Sequence, residues 1–226
     1  MESHTFDVTL GQYGHPFHGS PEKGKKKHLM KDCALVVVDM LYDFIDGSMA
    51  CKNADEAVRK TLEFIDRKTS DPLEGPDVIQ AGFPILFVRD FHPADHCSFT
   101  EQGGPWPPHC VQDTHGAEIH TDLAPYASEE FTFFKGYKKD KEQYSGFEGI
   151  NEAGQSLYDV LDMMEIKNVY VCGIATEYCV LNTCMDLKKA GFTVYLLKDC
   201  LAYVDYKGHL EALAQMSKDG IRLTDK

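Results

Sequence analysis

An α/β domain with a doubly wound, mostly parallel central sheet is the fold class this sequence predicts, and two observations carry the prediction. Short apolar runs without polar alternation recur along the chain, and helical patterns lie between and after them. Continuous apolar runs suit parallel strands covered on both faces, whereas alternation would mark a sheet wetted on one side. Strands alternating with helices then place helices on both faces of one sheet.

The elements follow in order. The run from Cys33 to Asp39 reads as a strand closing on an acid, and residues 53–68 as a helix. Phe83 to Asp90 is a second such strand. A helical pattern over 151–165 precedes a third strand, Asn168 to Gly173. In 176–190, Val180, Thr183, Cys184 and Leu187 recur at helical spacing and Gly191 supplies a stop. Phe192 to Leu197 is the fourth strand, and 205–218 the last helix. Residues 1–30, polar, Gly-rich and basic at Lys25–Lys27, read as an N-terminal polar arm with no apolar core of a secretory signal. Residues 31–226 then form a single domain without internal repeats. The stretch 91–130 breaks the alternation; it is rich in Pro, Gly, His and aromatics and holds the only tryptophan, Trp106. A stretch this long without regular structure in a compact domain points to function.

Composition excludes several classes. The net charge of −13 argues against a nucleic-acid surface and against attraction to anionic membranes. No apolar run approaches the ~18 residues of a transmembrane helix. The eight cysteines are scattered, with no C-x-x-C pair, and several sit inside apolar runs. That usage fits free thiols in a reducing compartment, and so a cytoplasmic protein, better than a disulfide framework.

In open α/β sheets, ligands bind beyond the carboxyl ends of the strands. Asp39, Asp90 and the turn from Gly173 to Cys179 all fall at such ends, so they can converge while lying far apart in sequence. Cys179 stands where a strand gives way to a helix. With Thr176 as N-cap it is the third helical residue, where the helix dipole would lower a thiol pKa and free backbone N–H groups could hold an oxyanion. The alternative is a buried small hydrophobe, the reading that fits Cys184. Asp39, desolvated near a thiol, could serve as its base, or merely cap the next segment, and the same holds for Asp43. Lys135 follows an apolar segment and could be drawn into a desolvated site, although by pattern alone a surface lysine beside Lys138, Lys139 and Lys141 fits better.

Asp90 and His92 stand at i and i+2 at a strand end, where extended chain points both side chains the same way. His96 and His109 lie in the loop that follows. One carboxylate and two imidazoles suit Zn²⁺, Fe²⁺ or Mn²⁺ with open positions left for water or substrate. Cys97 and Cys110 adjoin histidines, so a structural Cys/His zinc site competes, but the spacing matches no common finger.

Together these residues resemble the nicotinamidase/pyrazinamidase branch of the isochorismatase-like cysteine hydrolases. The resemblance covers roughly residues 33 to 222 and rests on five ordered motifs: Val38 to Phe44, Asp90 to His92, Trp106 to Cys110, Lys135-Gly136 with Tyr144 to Phe147, and Gly173 to Cys179. It implies a catalytic triad of Asp39, Lys135 and Cys179, and one divalent metal ion, Zn foremost with Fe or Mn as alternatives, on Asp90, His92 and His109. It further implies substrate contacts from Phe44, Trp106, Tyr144 and Ala175, a cis peptide at Ile174–Ala175, and an oxyanion site at the Ala175 and Cys179 amides. Some members use a further ligand after the first histidine; the short spacing of His96 leaves a water in that place instead. The activity implied is deamidation of nicotinamide to nicotinate in NAD salvage, with pyrazinamide as a second substrate and a homo-oligomer left open. Two other readings compete: a carbamoyl-amide or ureido hydrolase on the same fold, and a non-enzymatic zinc or thiol-redox module.

Overall fold

The structure, a computed structural model, describes residues 32–69 and 83–225; the arm expected over 1–30 lies outside the described residues. Among the described residues six strands form one sheet: β1 (Cys33–Val38), β2 (Ile85–Asp90), β3 (Thr132–Lys135), β4 (Asn168–Gly173), β5 (Thr193–Leu201) and β6 (Arg222–Thr224). Their order is β3-β2-β1-β4-β5-β6, and every pairing is parallel. The helices are α1 (Tyr42–Ile45), α2 (Ala54–Thr69), α3 (Leu157–Met163), α4 (Leu181–Lys189) and α5 (Tyr206–Lys218).

The apolar run of β1 is buried along its whole length because both faces are covered. Cys33, Leu35 and Val37 join a core completed by α1 and α2, including Phe44, Val58, Phe64 and Ile65. Ala34, Val36 and Val38 point the other way, into a core with Leu157 and Leu161 of α3, Cys184 and Leu187 of α4, and Met216 of α5. The period-2 alternation of a strand thus feeds two separate hydrophobic layers.

Three expectations need correction. The helix expected over 151–165 spans only Leu157–Met163. Asn151 accepts from the Gln155 amide at 2.9 Å and Gly154 has φ +76°, so a turn occupies 151–155, and a capping box between Ser156 and Asp159 starts the helix. Thr176 does not cap the helix after β4. Its hydroxyl donates to the Ala202 carbonyl at 2.9 Å, a π-helical turn runs over Thr176–Val180, and Ala175 stands at the cap position. The strands β3 and β6 were not anticipated. They are four and three residues long at the two sheet edges, too short for a periodic signal. No described helix is long and apolar enough to cross a membrane.

The strand order reverses at β1: the chain steps to β2 and β3 on one side, then to β4 on the other. The carboxyl ends of β3, β2, β1 and β4 stand side by side. Asp90 pairs in register with Lys135, and Val38, just before Asp39, with Gly173.

Candidate active site

These four strand ends deliver four chemically active groups to one point. Lys135 is fully buried, and its Nζ lies 2.8 Å from Asp39 Oδ2 and 3.3 Å from Cys179 Sγ, with an ion pair to Asp90 Oδ1 as well. Asp39 Oδ1 accepts from the Asp90 amide at 2.9 Å, tying β1 to β2. Ligand atoms of Asp39, Asp90 and Cys179 all lie within 4.8 Å of one another. Asp39 has φ +49°, in the left-handed region that non-glycine residues avoid and that clusters at functional sites. Lys135, a surface residue by pattern alone, is therefore the central cation of the site.

The electrostatics follow from burial. Desolvation, joined by the Asp90 charge, raises the Asp39 carboxyl to about 6 although Lys135 opposes it. Burial would raise Asp90 too, but the charges of Lys135 and His92 outweigh it and hold that carboxyl well below the usual range. Burial alone would lower the Lys135 pKa; Asp39 and Asp90 reverse this and hold it firmly charged. Cys179 contradicts the dipole-lowered thiol expected at a helix start. Burial raises its pKa well above the ordinary value, Lys135 opposes the rise, and the Asp39 and Asp90 carboxylates add to it.

Beside this cluster stand the two histidines. His92 Nδ1 donates to the Gly136 carbonyl at 2.9 Å and His109 Nδ1 to the Pro107 carbonyl at 2.8 Å. Each Nε2 is thereby left as the ligand nitrogen, the orientation that histidine ligands receive from such partners. His92 Nε2 lies 3.5 Å from Asp90 Oδ1, and ligand atoms of Asp90, His92 and His109 lie within 4.8 Å of one another. The donor set and the freed nitrogens fit a divalent ion. His109 reaches His92 across 16 intervening positions because the chain returns in parallel: the His92 amide donates to Cys110 O at 2.9 Å, and Gln112 N to His92 O at 2.8 Å. Gly136, at φ +64°, is required by close approach, since a Cβ there would strike the His92 ring.

The His96 ring lies 4.2 Å from that of His92, tilted by 30°, but has both nitrogens engaged, Nδ1 with Ser98 Oγ at 2.7 Å and Nε2 with Lys141 O at 3.1 Å. It braces the loop and offers no free ligand atom. Cys97 and Cys110 join no metal group among the described residues, and all eight cysteines are free thiols.

A cleft open at its mouth lies over these groups. Phe44, Trp106, Tyr144, Ala175, Cys179, Asp90, His92 and His109 line it. Trp106 Nε1 donates to Tyr144 Oη at 3.1 Å, locking two of the expected aromatics together. Tyr178 completes that wall, edge-on to Trp106 at 5.1 Å, and was missed by sequence reasoning although it adjoins Cys179. Met49, Cys51, Glu142, Gln143 and Val204 also face the cleft and carried no signal that singled them out. The Ile174–Ala175 peptide is cis.

Comparison with known proteins bears on this geometry. An isochorismatase-domain family model matches residues 33–226. The nicotinamidase/pyrazinamidase of Mycobacterium tuberculosis is 34% identical over 194 residues, covering 84% of this chain and 97% of that protein. The nicotinamidase of Acinetobacter baylyi is 30% identical over 213 residues, covering 84% and 91%. Among solved structures, Pyrococcus horikoshii pyrazinamidase in complex with zinc is 40% identical, with a TM-score of 0.74 over 86% of this chain and 99% of that one. The protein PnC1 of L. infantum in complex with nicotinate is 32% identical, with a TM-score of 0.71 over 86% and 93%.

Proposed function

The chain belongs to the isochorismatase family, and from that premise we propose that it is a nicotinamidase, hydrolysing nicotinamide to nicotinate and ammonia, with pyrazinamide as a second substrate. The observation that carries the reading is the single ammonium of Lys135 bridging Asp39, Cys179 and Asp90, which joins a nucleophile–base pair to an ion-binding trio in one cleft. A nucleophile beside a tethered ring site is what acyl transfer from a pyridine carboxamide requires.

Asp90, His92 and His109 would hold one divalent ion, Zn foremost, with Fe or Mn accepted by the same donors. Bound there, the ion supplies a Lewis-acid anchor for the ring nitrogen. Phe44, Trp106, Tyr144 and Tyr178 flank the ring, which fixes the amide carbon near Cys179 Sγ. The thiol is protonated at rest, so its proton leaves as the sulfur attacks the carbonyl. Asp39, with a pKa of about 6, accepts that proton. Lys135 stays charged throughout and balances the thiolate and carboxylate. The Ala175 and Cys179 amides are the donors for the oxyanion. Asp39 returns the proton to the leaving ammonia as the carbon–nitrogen bond breaks, leaving a thioester. Asp39 then takes a proton from water, the hydroxide adds to the thioester, and nicotinate departs as the thiol is restored.

The test is ammonia release from nicotinamide against a panel of benzamide, a ureido substrate and pyrazinamide, before and after chelation. Release from nicotinamide and pyrazinamide, lost on chelation and restored by zinc, supports the reading. Metal-loaded protein that prefers the ureido substrate, or releases nothing, overturns it.

A further inference from the structure

We infer that Asp43, one turn beyond the base Asp39, is the positioning residue that sets His109 for metal binding. The inference rests on the metal reading proposed above. His109 sits on a loop with no regular structure of its own, yet both peptide units flanking it are tied to one segment. The Cys110 amide donates to Asp43 Oδ2 at 2.7 Å, and the Ser48 hydroxyl donates to Pro108 O at 2.9 Å. Asp43 Oδ1 meanwhile accepts from the Ser48 amide at 3.1 Å, so the carboxylate holds the loop and the residue that also holds it. Cys110 is buried with φ +46°, a left-handed conformation that costs a non-glycine residue energy and needs outside support. That support is the Asp43 carboxylate. The fit is close: Gly116 packs against Asp43 so tightly that a Cβ there would strike the carboxylate.

Asp43 also belongs to α1, whose Phe44 ring lies 5.5 Å from the His109 ring. The clamp therefore fixes an aromatic wall of the cleft and an ion-binding nitrogen as one unit. Because each oxygen accepts from a different amide, an asparagine can satisfy only one of them and turns an NH₂ group towards the other.

The experiment is zinc affinity of the full chain by competition with a chromophoric chelator, for the parent, Asp43→Asn, Gly116→Ala, His109→Ala and Asp43→Asn/His109→Ala. Loss of a partner that orients a ligand weakens metal binding by about 10- to 100-fold. Asp43→Asn and Gly116→Ala should each show a loss in that range. Asp43→Asn should add nothing once His109 is gone, because its effect passes through that ligand. Unchanged affinity in Asp43→Asn, or an equal loss with and without His109, overturns the inference. A parent that binds no zinc, alone among these outcomes, overturns the metal reading itself.

Discussion

Replacing Lys135 by methionine removes the one cation from a buried cluster while keeping an apolar chain of similar length. The parent ammonium lies 2.8 Å from Asp39 Oδ2 and 3.3 Å from Cys179 Sγ and pairs with Asp90. Removing one partner of a buried ion pair leaves an uncompensated charge and costs about 3–5 kcal/mol. Against a total stability of roughly 5–15 kcal/mol, that is a large share. The penalty depends on pH in a definite direction. With Lys135 in place Asp39 already titrates at about 6 against an ordinary 3.8, and loss of the cation pushes it higher. A carboxylate whose folded pKa exceeds its unfolded one binds protons better when folded, so it destabilises increasingly as pH rises between the two values. Lys135→Met should therefore lose more stability at pH 8 than at pH 5. Urea unfolding of the metal-free variant and parent at both values measures it. A variant as stable as the parent at pH 8, or a loss identical at the two pH values, would exclude this coupling of Lys135 to Asp39.

Other outcomes follow from the same geometry. Because Asp39 must be ionised to accept the Cys179 proton and titrates at about 6, kcat/KM should fall as pH drops below that value, and a rate that rises into acid would exclude Asp39 as the base. His96→Ala should cost about 1–3 kcal/mol from its lost buried hydrogen bonds. Metal analysis should still find one ion per chain, and loss of that ion would make His96 a ligand. Trp106→Phe deletes the bond to Tyr144 and should raise KM for nicotinamide by roughly 2- to 12-fold with kcat little changed, as expected for a bond worth 0.5–1.5 kcal/mol. A fall in kcat at constant KM would place Trp106 in the chemistry instead.

The long buried strands were legible because a strand covered on both faces must be apolar at every position, as β1 is. The edge strands β3 and β6 were not, since three or four residues carry no period. Asp90 and His92 could be paired on sheet geometry, because neighbouring alternate positions share a direction. His109 could be named as a candidate donor, but not brought to them, because its approach depends on the parallel return of residues 110–112 beside His92. Lys135 is the hardest case. Its pattern is that of a surface lysine, and only the register of β3 against β2 carries it beneath the cleft. Family resemblance placed it in a triad. The contact with Asp90, which joins the proposed triad to the proposed ion-binding trio, is visible only in three dimensions. The thiol of Cys179 went the other way: position at a helix start argued for a low pKa, and burial beside two carboxylates overrode it.

The most direct measurement is a single-turnover reaction of metal-loaded protein with nicotinamide, quenched in acid and read by peptide mass spectrometry together with ammonia release. A nicotinoyl thioester on Cys179 in the parent, with neither adduct nor ammonia in Cys179→Ala, is the predicted result. Turnover of nicotinamide by Cys179→Ala at the parent rate would contradict the account.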